Sequence, residues 1–106
     1  MPRVLVNVPK TARKGDIIDI KVLISHPMES GQRRDASGQI IPRKIINSFV
    51  CAWNGEAVFS ADLFPAIAAN PFLSFSARAE ESGTISLTWV DDDGTVQSEL
   101  VAITVT

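Results

Sequence analysis

The chain has 106 residues, 45% of them hydrophobic and 21% charged, with a formal charge of −2. That length and apolar share suit one domain with a buried core and argue against two domains or a disordered chain. Without a basic surplus a nucleic-acid binder is not expected, and no apolar run is long enough to span a bilayer.

In chain order, residues 3–8 read as a first short strand. Residues 16–24 alternate with a period of two, Ile18, Ile20, Val22 and Ile24 sharing one face. Ile17 and Leu23 fall on the opposite face, so this strand is expected to be covered on both sides near its ends. Residues 25–43 hold proline, glycine and charge with one apolar pair, Ile40-Ile41, and predict a long loop of the kind that is often functional. Residues 45–53 and 57–61 form a hairpin around Asn54-Gly55, a dipeptide that tolerates the positive φ angles of a two-residue turn. Residues 62–71 are apolar but broken by Pro65 and Pro71. They predict a loop folded onto the domain or covered by something else, with room for a helical turn over 65–69.

The second half is more regular. Residues 72–79 place Leu73, Phe75, Ala77 and Ala79 on one face, and residues 84–90 alternate Ile85, Leu87 and Trp89 with threonine and serine. Asp93-Gly94 predicts a second two-residue hairpin into residues 95–105. There Val96 and Leu100 fall out of phase with Val101, Ile103 and Val105, predicting a bulge between Gln97 and Leu100. About seven antiparallel strands and no sustained helical period define an all-β chain, a single immunoglobulin-like β-sandwich spanning 1–106.

Reactive groups are scarce. His26 and Cys51 are the only histidine and cysteine. A Cys–His nucleophile pair stays open, against the commoner reading of a thiol packed inertly on an apolar strand face. His26, Met28 and Cys51 fall one histidine short of a blue-copper set, and a four-ligand zinc site is out of reach. The turn Asp91-Asp92-Asp93-Gly94 resembles half a calcium loop, but Trp89 and Leu100 stand where carboxylates belong, so it reads as a solvated turn. There is no phosphate-binding glycine loop and no serine-nucleophile motif. The expectation is no cofactor, no metal and no catalysis.

Binding features are more plentiful. Arg33, Arg34, Arg43 and Lys44 concentrate four of the ten basic residues in one stretch, either a solvated loop or a docking patch. Phe64 and Phe72 flank the apolar loop, as core groups or as anchors for a partner's pocket. Ile17, Leu23, Ile46 and Val50 are the candidate outward apolar groups of an obligate interface.

Four segments carry a resemblance. ISHPMESGQRRD, IPRKIINSF, NGEAVFSADLFPAIAANPFLSF and WVDDDG, within a similarity running from about Lys14 to Thr106, resemble the SoxZ family of the bacterial sulfur-oxidation (Sox) system. The resemblance implies an immunoglobulin-like subunit that pairs with SoxY, whose C-terminal cysteine carries the sulfur. This chain ends in an ordinary strand without such a cysteine, matching the non-carrier partner. It further implies transient docking to a heme thiol-ligation protein, a sulfate-releasing hydrolase and a sulfur dehydrogenase. The length and charge of residues 25–43 make that loop, including His26, Arg33, Arg34 and Arg43, the expected docking element, with Met28 a further candidate. The family is periplasmic, and the N-terminal MPRVLVNVPK lacks a secretory apolar stretch, so export on the partner's signal is expected. The rival expectations are an independent immunoglobulin-like binding or adhesion module and a thiol enzyme using Cys51.

Overall fold

A computed structural model describes residues 3–106. The strands are β1 (Val4–Asn7), β2 (Thr11–Ala12), β3 (Ile17–Ile24), β4 (Ile46–Trp53), β5 (Glu56–Asp62), β6 (Phe72–Arg78), β7 (Gly83–Asp91) and β8 (Val96–Val105), with no helix among the described residues. They form a three-stranded sheet ordered β1-β3-β6 and a five-stranded sheet ordered β2-β8-β7-β4-β5. Both sheets turn their apolar alternates inward. From β3 come Ile18, Ile20, Val22 and Ile24; from β4, Phe49, Cys51 and Trp53; from β7, Ile85, Leu87 and Trp89, all buried.

Aromatic rings bind the two layers together. Phe49 lies 5.1 Å from Trp89, 5.8 Å from Phe75 and 6.2 Å from Phe59, all tilted. Phe59 of β5 and Phe75 of β6 stack at 4.2 Å, joining an edge strand of each sheet and closing that flank of the sandwich. Tilted and offset rings are the arrangements that aromatic quadrupoles favour.

The expected β-sandwich is present, with four local differences. First, there are eight strands, and the unforeseen β2 pairs in parallel with β8, so the domain is not purely antiparallel; two residues are too few to show a period. Second, β8 carries no bulge. Its register with β7 runs unbroken from Val90↔Val96 to Gly83↔Ile103, and Val96 and Leu100 are out of phase because they point outward. The register shifts lie in β4, between Ile46 and Ser48 against β7 and between Cys51 and Ala52 against β5. Third, residues 65–69 form a turn, with the Ile67 N–H donating to the Phe64 carbonyl, and no helix.

Fourth, the two hairpin turns differ. Asn54 and Gly55 have φ of 50° and 84° between the paired Trp53 and Glu56, the two-residue geometry expected. The second turn is longer: Gly94 N–H donates to the Asp91 carbonyl and Asp91 N–H to that of Thr95, which leaves three residues in the loop.

Candidate partner-binding site

Residues 25–44 are not a shapeless loop. Glu29 and Lys44 exchange backbone hydrogen bonds of 2.9 Å each way, Arg34 bridges Ile40, and Ile41 N–H donates to the Arg33 carbonyl at 2.8 Å. The result is an irregular antiparallel arm. Asp35 closes its tip, its Oδ1 accepting from the N–H groups of Ser37 and Gln39 and from the Ser37 hydroxyl. Gly31 lets the two sides cross: its φ is +82°, and a Cβ there would lie 2.9 Å from the Cβ of Arg43. Cα atoms span 59 Å along the long axis, whereas a ten-residue strand reaches about 34 Å. The molecule is therefore longer than its longest strand.

Three consecutive carboxylates hold the arm's base. Asp91 Oδ2 lies 2.6 Å from His26 Nε2, both side chains buried. Met28 N–H donates to His26 Nδ1 at 2.9 Å, so that nitrogen is the acceptor and Nε2 carries the proton given to Asp91. Asp92 accepts from the Arg43 guanidinium at two 2.8 Å bonds, from Asn47 Nδ2 at 3.0 Å and from Ile45 N–H at 3.1 Å. Asp93 pairs with Lys44 Nζ at 3.1 Å. Entry and exit of the arm are thus fastened to one hairpin turn. Met28 is buried at a φ of 52°, its sulfur accepting from Ile46 N–H.

This arrangement corrects two expectations. The acidic turn is not merely solvated, because it anchors the arm. His26 and Met28 are not exposed docking groups; they are buried beneath it. Opposite charges 49 positions apart, Arg43 against Asp92 and Lys44 against Asp93, were the available signal, but separation along the chain concealed the pairing.

The anchor is expected to weaken in acid. The Arg43 guanidinium holds the Asp92 carboxyl well below its usual 3.8, and Thr95, followed by Lys44, lowers Asp93 to about 2. A carboxylate with a depressed folded pKa contributes stability that is full above its unfolded pKa and is lost as pH falls through the folded one. The arm is therefore expected to stay fastened above about pH 4 and to loosen progressively below it, Asp93 losing its part by about pH 2 and Asp92 only below that. Amide exchange across residues 29–44 checks this; protection constant down to pH 2 would contradict it.

The remaining predicted residues fall on separate surfaces. Arg33 and Arg34 are exposed on the arm, Arg33 paired with Glu29 at 2.6 Å and Arg34 donating to the Gly38 carbonyl at 2.7 Å. Ile17 and Leu23 lie on the outer face of the three-stranded sheet, where Leu5, Leu23 and Phe72 form one cross-strand row. Phe64 is exposed on the 62–71 loop, and Leu63 beside it is buried. Val50 lies on the outer face of the five-stranded sheet. Ile46 was expected outward with it and is instead 2% exposed, because the irregularity between Ile46 and Ser48 turns it into the core opposite Asp91. The four apolar candidates do not form one surface. Sequence reasoning passed over Leu5, Val96 and Leu100, all more than half exposed.

Cys51 is fully buried, and burial pushes its thiol up to about 11. A thiol so disposed has almost no thiolate at neutral pH and no access to a substrate. Among the described residues no three His, Cys, Asp or Glu side chains group as a metal site.

The fold and its anchored arm define an all-β sandwich whose distinctive features are surfaces. The family profile described as "Sulphur oxidation protein SoxZ" matches residues 6–102. The chain belongs to the SoxZ family and thereby to the Sox sulfur-carrier system. No curated protein matches it. Among solved structures it is similar to the sulfur carrier protein SoxY from Chlorobium limicola f thiosulfatophilum, with TM-score 0.67 and 15% identity over 97% of this chain and 78% of that one. It is also similar to a superoxide reductase (neelaredoxin) from Ignicoccus hospitalis, with TM-score 0.73 and 14% identity over 97% of this chain and 80% of that one. At these identities the likeness is one of fold.

Proposed function

We propose that this chain is the non-catalytic subunit of a sulfur-carrier heterodimer. It pairs with a SoxY-type subunit bearing the substrate on its C-terminal cysteine, and it helps present that cargo to the thiosulfate-oxidising enzymes. The observation that carries the reading is the SoxZ match over nearly the whole chain. The buried Cys51 supports it, since the one thiol of this subunit is sealed in the core and the sulfur rides elsewhere. The same reading puts the pair in the periplasm.

On this reading the arm docks the enzymes. Its exposed arginines suit transient, charge-steered encounter, which raises association rates more than affinity. Arg43 is a poor probe of this role, because its reversal would also release the Asp92 anchor. Arg33 and Arg34 make the cleaner test. In a system reconstituted from the heterodimer and its enzymes, Arg33→Glu with Arg34→Glu should slow turnover at low salt on the order of tenfold, with the heterodimer intact. Unchanged turnover would remove the docking role, and failure of the wild-type chain to co-purify with a SoxY-type subunit would remove the pairing.

A further inference from the structure

The outer face of the five-stranded sheet is unusual for a surface. Across β5, β4, β7 and β8 the registers align Ser60–Val50–Thr88–Ser98 in one row, and Leu100 lies opposite Ser86 and Ala52 in the next. Over these rows every outward side chain is small, β-branched or apolar, and the one ionisable group, Asp62, stands at a corner beside Ser48. Val96 and Leu100 are 58% and 70% exposed. Surfaces that water is meant to wet carry lysine and glutamate, whereas the centres of interfaces are depleted of them. Short, stiff side chains also lose little conformational freedom when covered.

The three-stranded sheet offers a contrast. Its outer face mixes Asp19, Lys21 and Arg78 with Ile17, and its apolar row Leu5–Leu23–Phe72 crosses only one end. Size separates the two candidates further. Four strands about 4.8 Å apart and some eight residues long project about 500 Å² of face, and its accessible area is larger. That approaches the roughly 800 Å² each partner contributes to a stable complex, whereas the three-residue row covers about 100 Å².

We infer that the SoxY-type subunit seats its own sheet on the outer face of β5-β4-β7-β8, with Val50, Val96 and Leu100 beneath it. The inference rests on the pairing proposed above and adds its location. A solved SoxY shares this fold over 97% of the chain, so such a subunit brings a sheet of similar twist to lie against this one. β2 covers the edge of β8 only at Thr104 and Val105; the face is assigned, and not the edge, because Val50, Val96 and Leu100 project from it.

The test uses the full chain co-expressed with a SoxY-type subunit. Val50→Glu with Leu100→Glu should weaken the heterodimer by about a hundredfold or more, since two carboxylates would be buried without partners. Leu5→Glu with Phe72→Glu, on the opposite sheet, should leave it within about threefold of wild type. Thermal melts of the isolated chains show whether each variant folds, and Ser98→Arg gives a second probe at a position where no apolar contact is lost. A heterodimer that survives both Val50→Glu/Leu100→Glu and Ser98→Arg while the wild type pairs would overturn the location and leave the pairing standing. A wild-type chain that binds no SoxY-type subunit would overturn the pairing itself. Self-association of the isolated chain that Leu100→Glu abolishes, with the heterodimer untouched, would make a second copy the occupant and overturn the assignment.

Discussion

His26→Ala is expected to destabilise the domain by about 3–5 kcal/mol and to release the arm. The substitution leaves Asp91 with its side chain buried, without the Nε2–H donor at 2.6 Å, and strips Met28 N–H of its acceptor. Breaking one side of a buried charged contact costs more than the contact contributes, because the survivor cannot return to water. Asp91→Asn should cost less, since an amide oxygen still accepts the Nε2 proton and no charge is stranded. Chemical denaturation of both single variants and the double variant gives their coupling, and amide exchange over residues 29–44 reports on the arm. Single variants within about 0.5 kcal/mol of wild type would mean that the pair does not hold the fold.

The second large effect lies in the core. Phe49→Ala is expected to cost about 3–5 kcal/mol of a total stability of about 5–15 kcal/mol. Phe49 has no exposed surface and meets three other rings, two in its own sheet and Phe75 in the other. Its removal opens a cavity where the layers join, and strands tied by backbone hydrogen bonds cannot close over it. The melting temperature should fall by more than about 12 °C. Val50→Ala, one residue along and facing outward, should cost less than about 1 kcal/mol in the isolated chain. Equal losses at the two positions would contradict the assigned faces.

The adjacency of Phe49 and Val50 also shows what could be read in advance. A strand alternates its side chains with a period of two, so the inward sets of β3, β6 and β7 were legible directly from residue spacing. Asn54-Gly55 announced its turn because few other pairs accept positive φ twice in succession. The same rule failed where a single residue broke the period. One irregularity between Ile46 and Ser48 buries Ile46, and an unbroken β8 exposes Val96 and Leu100 where a bulge was expected. Alternation gives relative facing within a strand, and only the pairing with neighbours says where the phase resets.

The candidate site was less legible than the fold. Its exposed arginines stood out by charge, yet nothing local marked His26 as buried or Asp92 as the partner of Arg43, because those contacts close between groups 65 and 49 positions apart. What the amino-acid order determined unaided was the all-β class, the inward faces of most strands, the SoxZ resemblance and the scarcity of reactive groups. What the tertiary structure alone decided was the fastening of the arm to the acidic turn, the sealing of Cys51, and the gathering of isolated apolar residues onto two opposite faces. The reason is physical: facing within a strand follows from local backbone geometry, whereas burial and ion pairing depend on which distant segments the folded chain brings together.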